Sequence, residues 1–277
     1  MQTAPGFSSH ASAACGFAAA LAAEVTPLLP GFAVEQVAEI DSTNTELMRR
    51  ARAGRCAPVL LVAERQTAGR GRLGRAWQSA QDTAQPTSLT FSLGLPLAPK
   101  DWSGLSLAVG VSVAESLDPT ASAGVRLKWP NDLWVDDRKL VGILIETAVP
   151  QGDAAQRYVV IGIGINVGPR DADGLRMPPA WVHEWQPGAT ADELLFALVP
   201  PVIATVQAFA ERGFAPFAER FAARDALRGR EVQLSDGTAG LCEGVGWGGE
   251  LLVRTTAGLQ CITSSDVSVR PRGMALP

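Results

Sequence analysis

Lysine and asparagine are nearly missing from this chain. Of 24 basic residues only three are lysine (Lys100, Lys128 and Lys139), and only three asparagines occur (Asn44, Asn131 and Asn166). Lysines that survive such depletion are candidates for positions where arginine cannot serve, because a compact ammonium and a broad planar guanidinium are not interchangeable; chance clustering is the alternative. Two histidines, His10 and His183, exclude a histidine-rich metal centre. The four cysteines, Cys15, Cys56, Cys242 and Cys261, show no CxxC spacing, which favours reduced thiols over a disulfide framework or a zinc site. A basic excess is absent too: net charge is −4 and the pI is near 5.3, which argues against a dedicated DNA-binding surface. No run reads as the roughly 18 apolar residues of a membrane span. The Ala-rich N-terminus lacks a charged n-region and is interrupted by Glu24, so it reads as an amphipathic helix and not a signal peptide. A cytoplasmic protein is the expectation.

The chain that remains is 277 residues, 47% hydrophobic and 19% charged, a globular composition with enough apolar residues for a sizeable core. Helical spacing is read over 12–28, 103–117, 190–212 and 214–224. Residues 32–40, 58–64 and 87–95 read as strands. KLVGILIETA (139–148) and RYVVIGIGINV (157–167) are long β-rich runs joined by a Gln-Gly-Asp turn, a predicted hairpin. A helix begins after DSTN (41–44), with Thr43 and Glu46 at capping-box spacing. After Arg224 short β-like runs recur between SDGT, GWGG and TTAG, which predicts a small β-barrel. The fold class expected is α+β: a mixed sheet flanked by helices, with domains at 1–226 and 227–277.

Against the acidic background, TAGRGRLGRAW (67–77) concentrates positive charge. Glycines let a backbone approach a ligand and offer N–H groups to an anion, while arginines add planar charged forks suited to phosphate or carboxylate. Trp77 adds a stacking surface. The loop reads as a cover for a small phosphorylated or carboxylated molecule, as a solvated basic segment, or as one that touches RNA. In RLKWPNDLWVDDRKLVG (126–142) two of the three lysines flank Asn131 and Asp132; Asp136 and Asp137 read as surface charges in a turn. IGIGINVG (161–168) fails as a dinucleotide fingerprint, because its third glycine is one place late and Pro169 follows where a helix should begin. Gly162 and Gly164 instead leave one face of a strand bare for a ligand.

In order and spacing, DSTN, ERQTAGRGRLGRAW, LKWPNDLWVDDRKLVGILIE and VVIGIGINV resemble the biotin–protein ligases, over residues 41–167. That resemblance implies a core related to class II tRNA synthetases and a C-terminal domain like an SH3 barrel. It implies activation of biotin by ATP to biotinyl-5′-AMP, then transfer to one lysine of a biotin carboxyl carrier protein or domain, with Mg²⁺ accompanying the nucleotide on ligands the sequence does not name. It places Ser42, Thr43, Asn44, Gln66, Gly69, Arg70, Arg72, Lys139, Gly142, Gly162 and Gly164 around biotin. It places Arg70, Arg72, Arg75, Trp77, Lys128, Asn131, Asp132 and Asn166 around ATP, with Arg72 and Lys139 as the catalytic pair. The 40 residues before DSTN match the short, ligase-only kind. The expectation is therefore no nucleic-acid or membrane partner and a monomer or weak homodimer. A lipoate–protein ligase of the same fold, or a biotin-binding regulator without catalysis, is the alternative.

Overall fold

The computed structural model describes residues 8–78, 87–149, 157–169, 179–263 and 267–272. Helix α1 (Ser8–Val25) turns Phe17, Leu21 and Val25 into the core and leads to β1 (Ala33–Ile40). Helix α2 (Thr43–Arg52), β2 (Val59–Gln66), β3 (Ser88–Leu97) and α3 (Leu105–Leu117) follow. Next come β4 (Arg126–Lys128), β5 (Asp132–Val135), β6 (Arg138–Ala148) and β7 (Arg157–Asn166). Helix α4 (Ala191–Arg212), a 3-10 turn and the short α5 (Ala218–Ala222) precede a second set of strands.

Strands β1 to β7 form one sheet in the order β1-β2-β3-β7-β6-β5-β4, parallel only between β1 and β2. It is thus mixed, as the sequence predicts. The β6–β7 pair is antiparallel, with Gly142 directly opposite Gly164; the Gln-Gly-Asp segment between them lies outside the described residues. Strand β3 shows how the sheet divides its two faces. Leu89, Phe91, Leu93 and Leu95 enter the main core beneath α3 and α4, whereas Ser88, Thr90, Ser92 and Gly94 alternate onto the other face. There a smaller cluster of Leu47, Met48, Leu61, Tyr158 and Val160 seats α2. Beyond that cluster the face carries Gly142, Gly162, Gly164, Thr90 and Ser92 beside Leu144 and Glu146, and this is where the site lies.

The second sheet comprises β8 (Glu231–Leu234), β9 (Ala239–Val245), β10 (Leu251–Thr255), β11 (Gly258–Ile262) and β12 (Val269–Pro271), in the order β11-β10-β9-β8-β12. Among the described residues it is an open antiparallel sheet, not the closed barrel predicted. It is fastened to the first unit at several points. The Leu127 N–H donates to Arg224 C=O, and Ala226 N–H to Leu127 C=O. The Trp129 indole N–H donates to Gly249 C=O at 3.1 Å. Gly249, at φ 90°, packs so close that a Cβ there would stand 2.7 Å from Gly104 Cα.

Three local expectations are corrected. The N-cap of α2 is Ser42, whose hydroxyl accepts from Thr45 N–H at 3.4 Å; Glu46 pairs with Arg50 instead of closing a box with Thr43. Asp137 is no idle surface charge: it holds Arg230 through two contacts, at 2.6 and 2.9 Å, tying the β5–β6 turn to the second sheet. Helix α4 is, contrary to the sequence reading, long and apolar enough to cross a membrane, but half of that stretch is buried inside the protein.

Candidate active site

The site is assembled from the α2 N-terminus, the loop after β2, the bare face of β3, β6 and β7, and the β4–β5 turn. Ser42, Thr43, Asn44, Gln66, Arg70, Arg72, Arg75, Trp77, Lys128, Asn131, Asp132, Lys139, Gly142, Gly162 and Gly164 line one cavity. Two expected residues lie beside it. Asn166 is buried behind Lys139, donating from Nδ2 to the Lys139 carbonyl at 3.0 Å. Gly69 lets the chain double back: a Cβ there would run into the Trp77 carbonyl.

At one end the helix start is knitted to the strands. Thr43 N–H and hydroxyl both donate to Gln66 Oε1, at 2.8 and 3.1 Å. The Ser92 hydroxyl lies 2.7 Å from Thr43 Oγ1 and 2.6 Å from Asn44 Oδ1. Asn44 Nδ2 donates to Glu146 Oε2 at 3.1 Å. Glu146 in turn meets Arg70 at 3.1 Å.

The basic loop is a self-bonded hairpin. Gly71 N–H donates to Arg75 C=O at 2.7 Å, Trp77 N–H to Gly69 C=O at 2.9 Å, and Leu73 and Gly74 turn left-handed at its tip. Arg72 Nη1 donates to Asn131 Oδ1 at 3.3 Å. The glycine face is not bare, as the sequence led us to expect. A Cβ on Gly164 would enter the Trp77 indole, and one on Gly162 would overlap the Asn44 amide. A Cβ on Gly142 would sit 3.0 Å from Trp77 and 3.1 Å from Lys139 Nζ.

At the other end Lys139 stands 2.7 Å from Asp132 and 5.6 Å from the Trp77 ring centre. Burial pushes the Asp132 carboxyl up, but Lys139 and then Lys128 outweigh it and hold it below the usual carboxylate range. Lys128 is buried with its ammonium 5.4 Å from the Trp134 ring. Burial brings it down to about 8, Asp132 opposing the fall and Lys139, Arg75 and Arg270 adding to it. Among the described residues, five cations thus line the cavity with a single carboxylate, Asp132. In a partly water-excluded space that balance favours an anionic ligand.

Residues 37–166 match the Biotin/lipoate A/B protein ligase family. The chain is 34% identical over 254 residues to the bifunctional ligase/repressor BirA of Escherichia coli (strain K12), covering 90% of this chain and 78% of that protein. It is 33% identical to the biotin–[acetyl-CoA-carboxylase] ligase of Paracoccus denitrificans, covering 83% of this chain and 98% of that one. This chain belongs to the biotin/lipoate protein ligase family. Its fold also matches the biotin protein ligase from Aquifex aeolicus in complex with biotin and ATP, with TM-score 0.70, 28% identity and coverage of 86% and 98% of the two chains.

Sequence reasoning missed five contributors to this family member's site. Ser92 and Thr90 were legible as the polar half of an alternating strand. Glu146 ended a quoted motif without receiving a role. Val267 and Ser268 reach the cavity from the second sheet, and no local motif marks them.

Proposed function

We propose that this chain is an ATP-dependent biotin–protein ligase: it joins biotin to AMP as an acyl-adenylate, then passes the biotinyl group to a lysine of a carboxylase carrier domain. The observation that carries this reading is the pairing of a polar, glycine-floored pocket with an adjoining cluster of cations. A bicyclic urea needs flat, polar-edged space. A carboxylate and a triphosphate brought together need their repulsion offset. Thr43, Asn44 and Gln66 supply hydrogen-bonding groups at the first end; Ser42, which caps α2, lies beside them. Lys139, Arg72, Arg75 and Lys128 supply charge at the second, while Arg70 is paired with Glu146 at the first. As the carboxylate oxygen of biotin attacks the α-phosphorus and pyrophosphate departs, negative charge grows on the phosphate oxygens. We assign Lys139 and Arg72 to meet it. The hairpin excludes water from the mixed anhydride until a neutral lysine amine attacks its carbonyl carbon and AMP leaves.

We further assign biotin to Gly142, Gly162, Gly164 and the Gly69 turn, and the nucleotide to Trp77, Asn131 and Asp132. For the adenylate to lie on the glycines, the Trp77 indole moves off Gly164. Among the described residues no group of three His, Cys, Asp or Glu could hold a metal on its own. Nucleotide-borne Mg²⁺ needs only one or two protein oxygens. Asp132, the carboxylate on the cavity wall, fits that donor set, and the ion would neutralise phosphate charge. The carrier partner, a monomeric or weakly dimeric state, a cytoplasmic location and the absence of a nucleic-acid role for the basic loop belong to the same proposal.

Incubating purified protein with ATP and either biotin or lipoate tests it. Biotinyl-AMP detected by mass spectrometry is the expected product. Lipoyl-AMP, or no adenylate, would overturn the reading.

A further inference from the structure

The root of the basic hairpin is tied to strand β6 by a residue to which no part of the reaction has been assigned. Arg70 Nη2 and Nη1 lie 3.1 and 3.3 Å from the two carboxylate oxygens of Glu146. The same carboxylate takes the Asn44 Nδ2 hydrogen at 3.1 Å. An ionised carboxylate only accepts hydrogen bonds. Together with the Leu144 carbonyl, which accepts from the same nitrogen at 3.3 Å, it turns the Asn44 NH₂ toward β6 and its carbonyl oxygen toward Ser92 and the space above Gly162. One side chain thus bears on two things at once: where the hairpin starts, and which way round the amide over the pocket floor sits.

Resting on the ligase reading above, we infer that Glu146 is a positioning residue for adenylate retention. Through Arg70 it holds the hairpin across the glycine face, and through Asn44 it presets the hydrogen-bonding pattern of the biotin end. The carboxylate is mostly shielded, with 22% of its side chain exposed, and Arg70 is half-exposed. The charged fork is stronger than a neutral hydrogen bond yet can open. Glu146 touches neither reacting atom.

The two duties separate by substitution. Glu146→Gln keeps an oxygen for Asn44 but removes the charge that holds Arg70; Glu146→Leu removes both. In the ligand-free full chain, trypsin cleavage after Arg70, Arg72 and Arg75, followed by mass spectrometry, reads the hairpin without any activity. Glu146→Gln should speed cleavage there about tenfold and release of biotinyl-AMP about tenfold, with biotin affinity in the absence of ATP within about twofold of the parent. Glu146→Leu should also weaken biotin. Once Arg70→Ala has broken the pair, adding Glu146→Gln should release adenylate no faster than Arg70→Ala alone. Unchanged hairpin cleavage in Glu146→Gln would overturn the inference. So would cleavage rising equally after Arg55, the sign of general loosening, or effects of the two substitutions on release that add in full. If the parent forms no biotinyl-AMP, the ligase reading fails; the proteolysis still decides whether Glu146 anchors the hairpin.

Discussion

In the proposed reaction Lys139 is the residue on which the chemistry turns. Arginine stands directly before it and is used almost everywhere else in the chain, yet this position holds a lysine. The structure supplies a reason. Its ammonium is wedged between Asp132 at 2.7 Å and the Trp77 ring at 5.6 Å, close over Gly142. A guanidinium is wider and its donors are fixed in a plane, so it would displace Trp77 or break from Asp132. Lys139→Arg is expected to fold normally and lose adenylate formation by on the order of 10²–10³. Single-turnover measurement of biotinyl-AMP checks this, and an unchanged rate would reduce Lys139 to an ordinary hairpin lysine.

Lys128 gives a pH dependence. Its ammonium titrates near 8 in the folded chain against 10.5 ordinarily, chiefly through burial. On the proposed assignment it attracts triphosphate below about 8, where it is charged, and ceases to above, where it is neutral. Catalytic efficiency for ATP should therefore fall as pH rises through about 8, and Lys128→Arg, always charged, should lose that limb even if slower throughout. A parent profile flat to about pH 9.5 would contradict the assignment. In stability the sign is opposite. The cost of burying the charged form is fully present below about 8 and is relieved between there and 10.5, where the unfolded lysine still binds a proton.

At the scale of elements, the hairpin and the glycine strands carry the site. Arg72 joins the hairpin to Asn131 at 3.3 Å, so Arg72→Gly should still make adenylate but retain it poorly. Added bystander protein should then acquire biotin on its lysines, as read by mass spectrometry; a variant as selective as the parent would exclude the retaining role. Much at this scale was legible. Alternation in 87–95, the β6–β7 hairpin and the helix after DSTN are local patterns, and local patterns survive into the fold. What escaped were relations between distant segments. Ser42 displaces Thr43 as the cap, and Thr43 and Asn44 are thereby freed to meet Gln66 and Glu146, some 23 and 102 positions away. Trp77 covers glycines that the sequence could only call bare, because nothing in a strand's spacing says which loop will fold over it.

For the whole molecule, the second sheet is less separable than its composition implied. Val232, Leu234, Leu251, Val253 and Val269 share one buried cluster with Leu127, Trp129 and Leu133, and Arg230–Asp137 and Trp129–Gly249 cross the junction. The division at 226/227 is our proposal, and we expect it to mark a change of architecture within one cooperative unit. Calorimetry should show a single unfolding transition; two resolved transitions would contradict this. Gly249→Ala, which brings a Cβ against Gly104 in a left-handed backbone, should lower that transition by the equivalent of about 1–3 kcal/mol.

The account's central claim is that one chain both activates biotin and delivers it to a single lysine. The most direct measurement incubates the purified chain with ATP, biotin and a carboxylase carrier domain, then locates the modification by intact mass and peptide mapping. The account predicts one biotinyl group on one carrier lysine, dependent on ATP and lost in Lys139→Arg. An unmodified carrier, or one that takes lipoate in place of biotin, would contradict it.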